Sequence, residues 1–211
     1  MTYTVREIFY TLQGEGANSG KAAVFCRFSG CNLWTGREED RPRAVCQFCD
    51  TDFVGVGPDG GRFATAESLA GAIANAWRGA DSMEERFVVC TGGEPLLQID
   101  EAFIDAVHEA GFTMAVETNG TKFAPPSIDW VCVSPKAGAP LVQTSGDELK
   151  LVFPQPDAMP EKFEMLEFGH FFLQPMDGPQ ARENTELAVE YCMSHPRWRL
   201  SLQTHKLLGI R

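Results

Sequence analysis

The chain has 211 residues, 44% of them hydrophobic, with 29 Asp and Glu against 18 Lys and Arg and a formal net charge of −11. That length fits one core-forming domain spanning 1–211 better than two, and the acidic balance opposes the counterion release that drives binding to phosphate backbones, so no nucleic-acid partner is expected. No apolar run reaches the roughly 18 to 20 residues a membrane span needs, and the start from Met1 to Glu7 lacks the apolar stretch of a secretory signal, so the expectation is a cytoplasmic chain that does not enter a membrane.

In chain order, the apolar runs Ala22–Phe28, Arg86–Cys90, Phe112–Val116, Trp130–Val133, Leu149–Phe153, His170–Leu173 and Trp198–Leu202 end abruptly in polar or glycine-rich turns and read as strands. Between some of them, apolar residues recur at three- and four-residue spacing over Ala66–Trp77, Ile99–Ala110 and Ala181–Ser194, which predicts helices. The alternation points to an α/β fold with a parallel sheet. Two stretches lack such a pattern: Val54–Arg62 is glycine-rich and reads as a flexible surface loop, and the charged segment around 35–45 reads as an insertion.

Five polar clusters follow the predicted strands: Thr91-Gly92-Gly93-Glu94-Pro95, Glu117-Thr118-Asn119-Gly120, Ser134-Pro135-Lys136, Gln174-Pro175-Met176-Asp177 and Gln203-Thr204-His205-Lys206. In a β/α barrel the loops at the strand C-termini converge around one mouth, whereas an open doubly wound sheet binds at a single switch point and would not need five such ends. A partial (β/α) barrel is therefore expected.

Seven cysteines, an odd number, in a chain without a secretory signal point to reduced thiols used for metal binding or burial. Cys31, Cys46 and Cys49 form C-x14-C-x2-C directly after the first predicted strand. Three thiolates on a four-iron cluster leave one iron open, whereas a structural zinc site is closed by a fourth ligand. The zinc alternative, a binding domain without catalysis, would recruit Cys26. Strand alternation sets Ala22, Val24, Cys26 and Phe28 on one face and Arg27 on the other, which makes Cys26 a core residue. Cys90, Cys132 and Cys192 lie in apolar strand or helix patterns and read as buried thiols.

With the cysteines, the Thr91–Pro95 loop and the barrel together, the chain resembles the radical S-adenosylmethionine (SAM) superfamily. Its usual cysteine pattern is C-x3-C-x2-C, so the spacing here is enlarged. Adding Leu12-Gln13-Gly14-Glu15-Gly16 and Cys49-Asp50-Thr51-Asp52, the chain is similar along its whole length to the 7-carboxy-7-deazaguanine synthase family, enlarged cysteine-loop members included.

The resemblance implies conversion of 6-carboxy-5,6,7,8-tetrahydropterin to 7-carboxy-7-deazaguanine with loss of ammonia, a step toward queuosine and other 7-deazapurines. It also implies a 4Fe-4S cluster, SAM and Mg2+ as cofactors, a reducing partner such as flavodoxin or ferredoxin, and a homodimer. Cys31, Cys46 and Cys49 would hold the cluster. Phe48, taken as exposed, Gly93, Ser134, Pro135, Lys136, Gln174, Pro175, Met176 and Asp177 would bind SAM. Thr51 would be a magnesium ligand, with Asp50 and Asp52 as nearby alternatives. For the substrate, Arg27 suits a carboxylate through its guanidinium fork, and Leu12, Gln13, Gly14 and Glu15 suit the pterin's amide and amino edge. Thr91, Glu117, His205 and the terminal Arg211 are further candidates. His205 reads equally as a surface histidine, and Glu15 as a solvated turn charge. The runner-up activity is a glycyl-radical activase, which would need neither Arg27 nor the Leu12–Gly16 motif.

Overall fold

The computed structural model describes residues 2–79 and 86–211. Among the described residues nine strands form one sheet: β1 (Tyr3–Leu12), β2 (Ala22–Phe28), β3 (Gly61–Phe63), β4 (Phe87–Gly92), β5 (Thr113–Thr118), β6 (Trp130–Val133), β7 (Ser145–Phe153), β8 (Glu167–Pro175) and β9 (Trp198–Leu200). Their order is β3-β1-β2-β4-β5-β6-β7-β8-β9. From β2 to β9 every pairing is parallel, while β1 pairs antiparallel with both β2 and β3. The sheet does not close on itself, so the partial barrel expected from the sequence is what the chain forms.

Both faces of the parallel strands are used, and this is what positions the site. Alternate residues such as Val24, Cys26, Phe28, Val88, Cys90, Met114, Val116, Leu149 and Leu151 are buried in the main core. Helices α1 (Ala66–Ala76) and α2 (Glu101–Glu109) add Leu69, Ile73, Phe103 and Ile104 to it. Burying side chains of this size stabilises by about 1.5–3 kcal/mol each. Local sequence starts these helices: Thr65 and Ser68 form a reciprocal capping box, and the Asp100 carboxylate accepts from Phe103 N–H. Asp100 also accepts from the Tyr3 hydroxyl at 2.7 Å, tying β1 to α2. Helix α3 (Ala181–Ser194) links β8 to β9, and the short α4 (Thr204–Leu208) follows β9. The opposite face carries a smaller apolar cluster of Ala23, Phe87, Val89 and Ala115 near the strand starts, with Phe25 and Trp130 against it.

Three features depart from the sequence reading. β1 and β3 have no counterpart among the predicted strands. The Val54–Arg62 loop is not free: Ile8 N–H donates to Asp59 O at 2.8 Å and Gly57 N–H to Arg6 O at 2.9 Å, and Gly61 and Arg62 enter β3 beside β1. Glycine is needed at position 60 because a Cβ there would run into the carbonyls of Val5 and Arg6. The insertion near 35–45 contains a 3-10 helix over Glu38–Arg43.

Candidate active site

The polar ends of the parallel strands open into a cavity of about 380 Å³. Arg27 from β2, Thr91 from β4, Glu117 from β5, Lys150 from β7 and Gln174 from β8 all line it, on the face opposite the core residues that alternate with them. The five polar clusters predicted from the sequence do lie at the C-terminal ends of β4, β5, β6, β8 and β9. Glu94 is wholly buried and fastens two of these ends together, accepting from Leu96 N–H at 3.0 Å, Thr118 Oγ1 at 2.8 Å and Asn119 N–H at 2.8 Å. Burial pushes its carboxyl above the usual range, against those hydrogen bonds.

Cys31, Cys46 and Cys49 stand together on one wall of the cavity, all three as free thiols. Cys49 is drawn down to about 6 by the hydrogen bond from Cys46, with Thr51 donating as well. Cys46 is pushed up by the same bond and then by burial, and burial raises Cys31. The half-buried Lys136, whose ammonium donates to Ser134 O at 2.7 Å and Ser134 Oγ at 2.6 Å, is lowered by desolvation and supported by the charge of Cys46 and Cys49. A thiol wall with one thiolate already favoured and a cation beside it suits the donor set that an iron–sulfur cluster takes. Cys26 cannot serve as a fourth ligand, because it is fully buried on the core face and hydrogen-bonded to Cys90.

The insertion braces this wall. Arg41 donates from Nη1 to the carbonyls of Gln47 at 2.8 Å and Cys49 at 2.9 Å, pairs with Glu38 at 2.6 Å, and lies 4.1 Å from the centre of the Trp34 ring.

The loop after β1 joins the segment that follows β9, across the open side of the sheet. Thr204 donates from both N–H and Oγ1 to Gly14 O, at 3.1 and 2.8 Å, and Gly16 N–H donates to Ser201 Oγ at 2.9 Å. This brings Gln13, Glu15 and His205 to the cavity. Glu15 accepts from Lys150 Nζ at 2.6 Å and from Gln203 Nε2 at 3.1 Å. Glu117 accepts from the same Lys150 at 3.2 Å and from Gln13 Nε2 at 3.0 Å. Burial works against the Glu15 carboxylate, but Lys150 and Gln203 outweigh it and hold the group below the usual range. Glu15 is thus a half-buried, paired carboxylate and not a solvated turn charge.

Arg27 donates from Nε to Glu7 at 2.8 Å, and Glu7 also pairs with Arg211 at 2.6 Å. The Arg27 Nη atoms make no hydrogen bond among the described residues, and Arg27 lines the cavity. Arg211 pairs further with Asp59 at 2.9 Å, and its backbone oxygen accepts from Thr11 at 2.7 Å. Lys206 clasps two loops of the rim, reaching Asp50 at 2.6 Å and Asp177 at 2.5 Å. Asp52 pairs with Arg6.

The cavity thus gathers Leu12, Gln13, Gly14, Glu15, Arg27, Thr91, Glu117, His205 and Arg211 with Phe48, Gly93, Ser134, Lys136, the Gln174–Asp177 loop and Thr51. Two expectations change. Pro135 is not part of the lining; it is buried, and its carbonyl accepts from Gln155 at 3.2 Å. Phe48 is half-buried, not exposed. Sequence reasoning missed Lys150 and Glu7. For Lys150 the signal was present: a lysine inside the apolar run Leu149–Phe153 is almost never buried unless paired.

No family model matches the chain. Curated relatives do. It is 67% identical to the 7-carboxy-7-deazaguanine synthase of Caulobacter vibrioides over the full length of both chains. Identity is 44% to that of Bacteroides thetaiotaomicron, again over both full lengths, and 33% to that of Neisseria meningitidis over 99% of this chain and 94% of that one. Among solved structures, QueE from Escherichia coli superposes with a TM-score of 0.72 at 27% identity, covering 96% of this chain and 94% of that one. Full-length identity at this level, together with the shared fold, shows that the chain belongs to the 7-carboxy-7-deazaguanine synthase family of radical SAM enzymes.

Proposed function

We propose that this chain converts 6-carboxy-5,6,7,8-tetrahydropterin to 7-carboxy-7-deazaguanine with loss of ammonia, working as one radical SAM domain over 1–211 with an insertion at 35–45. The observation that carries this reading is one cavity lined both by the three thiols and by Gln13, Glu15, Glu117 and Arg27. When bound, the cluster and SAM supply the one-electron chemistry, and the chain supplies position and protection from side reactions.

Cys31, Cys46 and Cys49 would hold the cluster. Phe48, the Gly93 backbone, Ser134, Lys136 and Gln174, Pro175, Met176 and Asp177 would hold SAM. The Lys136 ammonium has three donors and spends two on Ser134, which leaves one for a ligand. Pro135, buried between Ser134 and Lys136, would act by fixing the turn that presents them.

On the substrate side, the Arg27 Nη atoms receive the carboxylate in a bidentate, charge-assisted geometry. Gln13, Glu15 and Glu117 accept from or donate to the pterin's amide and amino edge, and Gly14, Leu12, Thr91, His205 and Arg211 complete the wall. Magnesium would take the Thr51 hydroxyl with substrate oxygens and water, as a hard, reluctantly dehydrated cation allows. The neighbouring Asp50 and Asp52 are engaged by Lys206 and Arg6. A homodimer in the cytoplasm, reduced by a flavodoxin or ferredoxin, belongs to the same reading.

The test is an anaerobic assay of iron-reconstituted protein with SAM, magnesium, a strong reductant and the carboxylated pterin. Formation of 7-carboxy-7-deazaguanine by mass is the expected result. Cleavage of SAM without a deazapurine would remove the substrate assignment and keep the chemistry, and loss of both with bound zinc would remove both.

A further inference from the structure

Lys150 is the most deeply buried cation facing the cavity among the described residues, at 4% exposure, and it serves two carboxylates from different parts of the fold. One, Glu15, comes from the loop that fills the barrel's open side; the other, Glu117, comes from the end of β5. Burial opposes the ammonium, yet Glu117 and Glu15, with Cys132 and Glu148 behind them, keep it charged well above the usual lysine range. Lys136 on the β6–β7 connection and His205 on α4 are the other titratable groups facing this cluster. Glu117 Oε2 accepts no hydrogen bond among the described residues, so the cluster keeps an unfilled acceptor on a residue that lines the cavity.

We infer that Lys150 is a positioning residue for specificity: it holds Glu15 and Glu117 side by side as carboxylates, so that this wall accepts N–H donors and rejects a ligand bearing a carbonyl in the same place. This rests on the assignment of Glu15 and Glu117 to the pterin edge. Two carboxylates brought together without a cation share a proton, and a shared proton turns one of them into a donor. The wall would then tolerate either edge. A 2-amino pterin presents donors there, whereas the 2-oxo analogue with the same 6-carboxylate presents a carbonyl.

The experiment is a binding titration of 6-carboxypterin and its 2-oxo counterpart to the reconstituted enzyme with SAM. For the unaltered protein we expect about 10- to 100-fold preference for the 2-amino ligand, the range of a hydrogen bond to a charged group. In Lys150→Met the preference should fall to within about 3-fold while SAM affinity holds, and Lys150→Arg should restore most of it. Equal preference in all three proteins, or equal loss in Met and Arg variants that still bind SAM, overturns the role of Lys150. If the unaltered protein binds neither pterin, the substrate reading itself fails. Should Lys150→Met not fold, isotope-edited infrared spectra of Glu15 and Glu117 in the unaltered complex decide: two ionised carboxylates are expected, and a protonated carboxyl band on either overturns the inference.

Discussion

Gly14 and His205 are fitted to each other so closely that a Cβ at position 14 would run into the imidazole Nδ1. Through this contact, and the two hydrogen bonds from Thr204 to Gly14 O, the loop after β1 and helix α4 form one surface. Gly14→Ala should displace His205 and lower pterin affinity about 10-fold or more, with a stability cost of about 1–3 kcal/mol from overpacking. Thermal unfolding and ligand titration check this. Adding His205→Ala should recover the stability and leave the affinity low.

Arg27→Ala should weaken binding of the carboxylated pterin by about 10- to 100-fold, the loss of a charge-assisted pair, while SAM affinity is retained. A titration showing unchanged pterin affinity would remove Arg27 from its role.

Cys26 lies on the core face of β2 and Cys46 in a loop that lines the cavity, so replacing each by Ala separates the two readings of the thiols. Cys26→Ala should keep the iron content of reconstituted protein and cost about 1–2 kcal/mol through a small core cavity. Cys46→Ala should lose the cluster, seen as lost iron and lost visible absorbance. Iron retained in the second and lost in the first would exchange their roles.

Arg41 joins the insertion to the last cysteine through its bonds to the Gln47 and Cys49 carbonyls and its place over Trp34. Arg41→Ala should release iron to a chelator about 10-fold faster, as two hydrogen bonds from a charged donor are lost. Arg41→Lys should recover only part, since an ammonium lacks the planar fork and stacking face of a guanidinium. Unchanged release in both variants would make the insertion irrelevant to cluster retention.

The Lys206 clasp sets a pH window. The hydrogen bond from Lys206 holds Asp177 below its ordinary value of 3.8, so this part of the clasp is complete above that pH and is lost as pH falls through the lowered value. For Lys206, burial opposes the charge but Asp177 and Asp50 raise it above 10.5, so its share is complete below that pH and is lost as pH rises through the raised value. The clasp therefore persists across neutral pH. With these groups more than a third exposed, its worth is about 0–1 kcal/mol and it weakens in salt. Lys206→Met should return Asp177 to the ordinary aspartate range in an NMR titration. An unmoved Asp177 would show that the Gly178 N–H alone sets it.

Much of this arrangement is legible in the sequence, for reasons that differ by element. Strands such as Trp130–Val133 announce themselves because an apolar run stops at a polar cluster. The alternation that separates Cys26 from Arg27 is local, so it can be read without knowing any neighbour. β1 is harder, because Thr4, Arg6 and Glu7 interrupt its apolar pattern; it is an antiparallel strand whose partners lie elsewhere in the chain. Pro135 sits in the right cluster, yet its carbonyl is claimed by Gln155 from the following connection, a contact that no local pattern encodes. Lys150 was visible as an anomaly, but its meaning depends on Glu15 and Glu117, 135 and 33 residues away.

The loop at Gln13–Gly16 meets the segment from Ser201 to Lys206, and Arg211 reaches back to Glu7. During synthesis the first of these segments leaves the ribosome long before the second. The cavity consequently completes late: a nascent chain that ends at β8 still lacks the Ser201–Lys206 segment to which the Gln13–Gly16 loop is bonded.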